Sequence, residues 1–166
     1  MERRKLSGKA GIGLFVLAAL LLPALCLAVW KAGTGTQAIP VENAVRILTI
    51  SRIQKSGGPV TQTALSGEEI SGELSAALLE VLAGYSMTAR PVRAPQTMAI
   101  RDPYDHISIW LEDADRSTFR VNVSSVDAYS NVECGKKSFG ITDPAPLLRE
   151  LDTLLAESGM RPLKPD

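Results

Sequence analysis

The sequence predicts an α+β fold, an antiparallel sheet meander with two helices packed on one face, preceded by one N-terminal transmembrane helix. Three observations predict it: an uncharged apolar run from Ala10 to Trp30, two capped stretches with leucines at helical spacing, and several short runs of alternating apolar and polar residues. The 166 residues divide accordingly into a cytoplasmic basic head (1–9), a transmembrane signal-anchor (10–30), a linker (31–44), an extracytoplasmic α+β domain (45–158) and a C-terminal tail (159–166).

The opening, "MERRKLSGKAGIGLFVLAALLLPALCLAVWKAG", sets Arg3, Arg4, Lys5 and Lys9 ahead of the apolar run. At about 1.5 Å rise per residue that run spans roughly 30 Å, one hydrocarbon core. The basic residues before it and Trp30 at its end predict a cytoplasmic N-terminus and an exported remainder. Lipidation of Cys26 is disfavoured, because Leu25 stands where the bacterial lipoprotein signal has a small residue and Pro23 where an aliphatic one is usual. Cleavage near Ala28, which leaves a secreted domain, is the rival reading, since Pro23 can end the helix and Cys26 and Ala28 are small. The continuation through Val29 and Trp30 favours the uncleaved anchor, with Cys26 an ordinary apolar residue.

Beyond residue 30 the chain carries fourteen Lys/Arg against seventeen Asp/Glu, a net charge of −3 that argues against nucleic acid as a partner. "KAGTGTQAIPVEN" is small, polar and broken by Pro40, the composition of a flexible spacer. The first strand follows at "VRILTISRI" (45–53), and "SGGP" (56–59) is a turn too short to cradle a phosphate.

In "SGEEISGELSAALLEVLAGYS" Ser66 and Glu69 have capping-box spacing, Ile70, Leu74, Ala77, Leu78, Val81 and Leu82 form one stripe, and Gly84 supplies the stop. Further strands are expected at 87–94, 106–112, 118–124, 126–132 and 137–142. Alternation is clearest where Ile107, Ile109 and Leu111 interleave with Ser108, Trp110 and Glu112, and where Phe119, Val121 and Val123 interleave with Arg120 and Asn122. The short turns "EDADRS" and "CGKK" tie successive strands into a meander. A second helix opens at Asp143 with Pro144 in its first position, and Leu147, Leu148, Leu151, Leu154 and Leu155 line one side before Gly159.

This order of parts, with the stretches "SGEEISGEL" and "FGITDPAPLLRELDTLL", resembles small membrane-anchored or lipid-anchored extracytoplasmic proteins of Gram-positive bacteria. The resemblance covers residues 45–157 and implies an exported domain in a low-GC Gram-positive cell. It brings no active site with it.

Candidate chemistry is sparse. His106, the single histidine, sits with Asp105 in "DPYDHISIW", but no local signature supplies a nucleophile for it to activate. Cys134 in "ECGKK" reads as a hairpin-tip thiol whose pKa Lys136 and Lys137 could lower, against a chance half-buried cysteine. Asp113, Asp115 and Ser117 imitate the start of a calcium loop, yet Thr118 and Ser124 replace its glycine and closing glutamate, so a hairpin turn is expected and no metal. "NVS" at 122–124 fits a glycosylation acceptor but falls inside a strand.

Arg90, Arg93 and Arg101 cluster with Pro91, Pro95 and Pro103, and are the candidate binding residues for an anionic headgroup, a teichoic-type polymer or an acidic partner. A solvated edge strand guarded by charge and proline is the structural alternative. The expectation is therefore a non-catalytic binding or interaction module, tethered to the membrane by its N-terminal helix, with no cofactor and a cell-envelope protein or anionic polymer as partner. The alternatives are a small exported enzyme using His106, or an accessory subunit of a membrane transporter or sensor.

Overall fold

The computed structural model describes residues 35–93 and 99–160. The expected span at 10–30 and Cys26 lie outside them, and among the described residues no helix is long and apolar enough to cross a membrane. The elements run β1 (Thr36–Ala38), β2 (Ala44–Lys55), β3 (Thr61–Ser66), α1 (Gly72–Ala83), β4 (Ser86–Thr88), β5 (Tyr104–Asp113), β6 (Thr118–Ser124), a 3-10 turn (Asp127–Tyr129), β7 (Asn131–Cys134), β8 (Lys137–Gly140) and α2 (Pro144–Ala156). Six strands form one sheet in the order β3-β2-β5-β6-β7-β8, every neighbour antiparallel. The run β5 to β8 is the expected meander. β1 pairs with β4 as a separate ribbon.

Alternation sorts the sheet into an apolar and a polar face. Ile50, Ile107, Ile109, Leu111, Val121, Val123 and Val132 share one phase and are fully buried with Leu78 and Leu82 of α1 and Leu147, Leu151 and Leu155 of α2. Two amphipathic helices and one sheet face thus cover each other, the cheapest way to hide a stripe and a face at once. Tyr85 fastens the end of α1 to α2 by donating from its hydroxyl to Glu150 Oε1 at 2.9 Å.

The first helix starts later than its capping box suggests. Ser66 is the last residue of β3, and Glu69 accepts from its N–H and hydroxyl at 2.7 and 2.8 Å, closing the turn that leaves the strand. A Cβ on Gly67 would lie 3.2 Å from the Ile47 carbonyl oxygen, so glycine lets that turn pass close to β2 without displacing its backbone. Ser71 is the true N-cap, extended in backbone and accepting from Leu74 N–H at 3.1 Å. Gly84 ends α1 as expected, whereas Asp143 caps α2 by position without a side-chain bond.

Other boundaries differ as well. β3 was hidden in polar sequence, and 126–132 divides into the 3-10 turn and β7. The strand expected at 87–94 shrinks to β4 plus a lone bridge from Val92 to Ser138, since Pro91 cannot donate to a ladder. The chain enters the fold at Thr36, ahead of the expected boundary at 45: β1 lies within the supposed linker, and Ile39 and Val41 are buried in the core. Met160, in the supposed tail, is also buried.

Candidate functional site

Strand register defines what the polar face carries. One row across it is Thr49, Trp110, Arg120, Glu133 and Ser138; the next is Ser51, Ser108, Asn122, Asn131 and Gly140; a third is Ile53, His106 and Ser124. The middle row is hydrogen-bonded within itself. The Ser108 hydroxyl donates to Asn122 Oδ1 at 2.9 Å, and Asn122 Nδ2 donates to Asn131 Oδ1 at 2.8 Å and to Glu133 Oε1 at 3.2 Å. Beside it Arg120 pairs with Glu133 while its guanidinium carbon lies 4.9 Å from the Trp110 ring centre, a cation–π contact. Trp110 is the exposed member of this group, at 39 %.

The face is polar but largely hidden, which makes its unpaired atoms informative. His106 Nδ1, Arg120 Nε and the Ser138 hydroxyl are buried without a hydrogen-bond partner among the described residues. Leaving such groups dry and unpaired costs about 1–3 kcal/mol each, so their gathering on one face marks a surface with hydrogen bonds to give. Tyr104 stacks on His106 with ring centres 6.2 Å apart and meets Tyr129 edge-on at 6.5 Å. Burial pushes the His106 imidazole below its usual pKa, and the Arg120 guanidinium adds to the shift, outweighing Asp105 and Glu133. Burial also raises the Tyr104 phenol, with the Ser124 hydroxyl pulling the other way.

The segment between β4 and β5 borders this face. At one end Val92 bridges to Ser138; at the other Ala99 N–H donates to the Tyr129 hydroxyl at 2.9 Å, and Asp102 accepts from Gly57 N–H at 3.1 Å. Arg90, Arg93 and Arg101 are all exposed on it, with 94–98 lying between the last two and outside the described residues. Among the described residues Arg93 and Arg101 form no ion pair, while Glu112 pairs with Arg46, Glu133 with Arg120, and Asp105 and Asp152 with Arg52.

On the helix side, sequence reasoning missed a buried arginine. Arg52 is 0 % exposed, yet its phase matches Ile50, and that charged residue in an apolar phase was the signal available. Its Nε donates to Asp105 Oδ1 at 3.0 Å, its Nη1 to the Met160 carbonyl at 2.8 Å, and its Nη2 to both Asp105 and Asp152. Gln54 adds a bond to Asp105 at 3.2 Å. Burial raises the Asp152 carboxyl, against the pull of Arg52. With its guanidinium thus engaged, Arg52 works as a clamp between sheet, α2 and the chain after α2. A cavity of about 160 Å³ opens beside it among Lys55, Tyr104, Asp105 and Ser125.

The remaining candidates resolve by geometry. His106 and Asp105 project to opposite faces of β5, so the carboxylate cannot orient the ring. Cys134 closes β7 half-buried, and burial with the Asp113 charge pushes its thiol up, the reverse of activation by Lys136 and Lys137. Asp115 Oδ1 accepts from Ser117 N–H at 2.9 Å and Arg116 takes φ +67°, so the acidic loop is a hairpin turn. Asn122, the would-be glycosylation acceptor, is buried in β6 with its amide engaged. No protein-family model, curated protein or solved structure matches the chain.

Proposed function

We propose that the protein is a membrane-anchored extracytoplasmic binding module, held by residues 10–30, that docks an anionic cell-envelope partner on the arginine segment at the border of the polar face. One observation carries this reading: among the described residues, Arg93 and Arg101 are exposed and outside any ion pair, and they share a border with polar atoms of His106, Arg120 and Ser138 that have no partner there. Fixed positive charge draws a polyanion, and buried donors and acceptors beside it supply the directional bonds that charge alone lacks. The membrane part rests on the apolar run and its basic head. Catalysis is the weaker reading, because no carboxylate orients His106 and the hydroxyl opposite it, on Ser124, is taken up by backbone, donating to the Asp105 carbonyl at 3.1 Å and accepting from Val126 N–H at 3.2 Å.

The test is a titration of the full chain in detergent with polyglycerol phosphate, a teichoic-type polyanion, at several salt concentrations. The expected result is binding that weakens with salt, falls at least tenfold in the Arg90→Glu, Arg93→Glu, Arg101→Glu triple variant, and falls by a smaller, salt-independent factor in His106→Ala, which removes one of the buried hydrogen-bonding groups. Equal binding by the triple variant and the wild type would overturn the proposal.

A further inference from the structure

The two edges of the sheet are treated differently. β8 is met on its outer side by the Val92–Ser138 bridge, and the strand continues into Ile141, which bridges Met87. β3, at the other end, has β2 on one side and no strand on the other among the described residues. Five of its six residues are exposed, Leu65 alone being half-buried. It pairs with β2 without a register shift from Gln54↔Thr61 to Thr49↔Ser66, so no bulge turns its edge away. Natural edge strands are guarded by lysine, proline, charge or a bulge, because a bare row of N–H and C=O groups templates another strand. From Val60 to Gly67, "VTQTALSG" holds none of those guards.

We infer that β3 is a self-association edge, on which a second copy of the chain adds its own β3 antiparallel and joins two six-stranded sheets into one. A two-fold axis normal to the sheet keeps the helices of both copies on one side and centres the pairing on Thr63 or Ala64, since antiparallel partners must share a face. Such pairing sets like opposite like, so any charge on the strand would meet its own kind. β3 is uncharged, and the first charge after it, Glu68, falls opposite Gly58 or Val60 of the partner in those two registers. That neutrality is what singles out a second copy as occupant, because a foreign strand would be selected by complementary charge. Six residues of pairing make a small interface, so association is concentration-dependent.

Sedimentation equilibrium of the full chain in detergent, with hydrogen exchange of the β3 amides, tests this. Wild type is expected to move from monomer to dimer as concentration rises, with β3 amides gaining protection in step. The Gln62→Lys, Ala64→Lys double variant puts lysines at exposed positions that face each other in either register. It is expected to stay monomeric at those concentrations with an unchanged melting curve; should it fail to fold, Ala64→Lys alone replaces it. A wild type that is monomeric throughout, or a lysine variant that dimerises as the wild type does, would overturn the inference.

Discussion

At the scale of the residue, His106 illustrates how a side chain with an obvious candidate role is reassigned by its surroundings. The strand alternates, so Asp105 turns to Arg52 on the helix side while His106 lies under Tyr104 on the other. Its depressed pKa makes it a source of acid sensitivity. The unfolded chain takes up a proton near pH 6.5, the folded chain only at lower pH, so between those values the unfolded state binds more protons and stability falls as pH drops. Thermal melts from pH 7 to pH 5 are expected to show that loss, and His106→Phe, which can keep the stack on Tyr104, to flatten it. An identical slope in the variant would show that other groups dominate. Asp152 acts in the opposite sense: its raised carboxyl holds a proton more readily when folded, so its contribution is present at low pH and lost as pH rises.

At the scale of the element, the helix cap separates pattern from structure. Ser71→Ala removes the acceptor for Leu74 N–H and is expected to cost about 1 kcal/mol in denaturant unfolding, while Ser66→Ala, in an exposed turn, costs clearly less. Reversed magnitudes would place the helix start back at Ser66. The same contrast explains how much was legible beforehand. The Ser-x-x-Glu contacts are real, but a spacing motif does not say whether a turn or a helix follows. Strands with strict alternation, β5 and β6, were legible because burial of one face writes a period of two into the sequence. β3 was not, because an exposed edge strand has no such constraint. The arginine segment was visible as composition, whereas Arg52 and the buried polar row needed pairing partners from distant strands to be recognised.

At the scale of the whole molecule, the domain boundary is a matter of energy. A fragment beginning at Thr36 keeps β1, Ile39 and Val41; one beginning at Val45 loses all three. Each buried side chain of that size is worth about 2–5 kcal/mol, a large share of a typical total of about 5–15 kcal/mol. The longer fragment is expected to melt cooperatively and the shorter one to melt far lower or not at all, as followed by circular dichroism. Equal melting points would return residues 36–44 to the role of spacer.

The strand order also carries a consequence for kinetics. β5, β6, β7 and β8 meet through tight local turns, but β2, which sits between β3 and β5, must find its partner across some fifty residues of intervening chain. Closing long loops before any reward slows folding, whereas local hairpins close early. The meander is therefore expected to assemble first and the β2–β3 hairpin to dock on it late, delivering Arg52 to Asp105 and Asp152. Until then β5 is itself an open edge, and two carboxylates stand together without their cation, so the late step is also the one in which the half-built sheet is most exposed to strand pairing with the wrong chain.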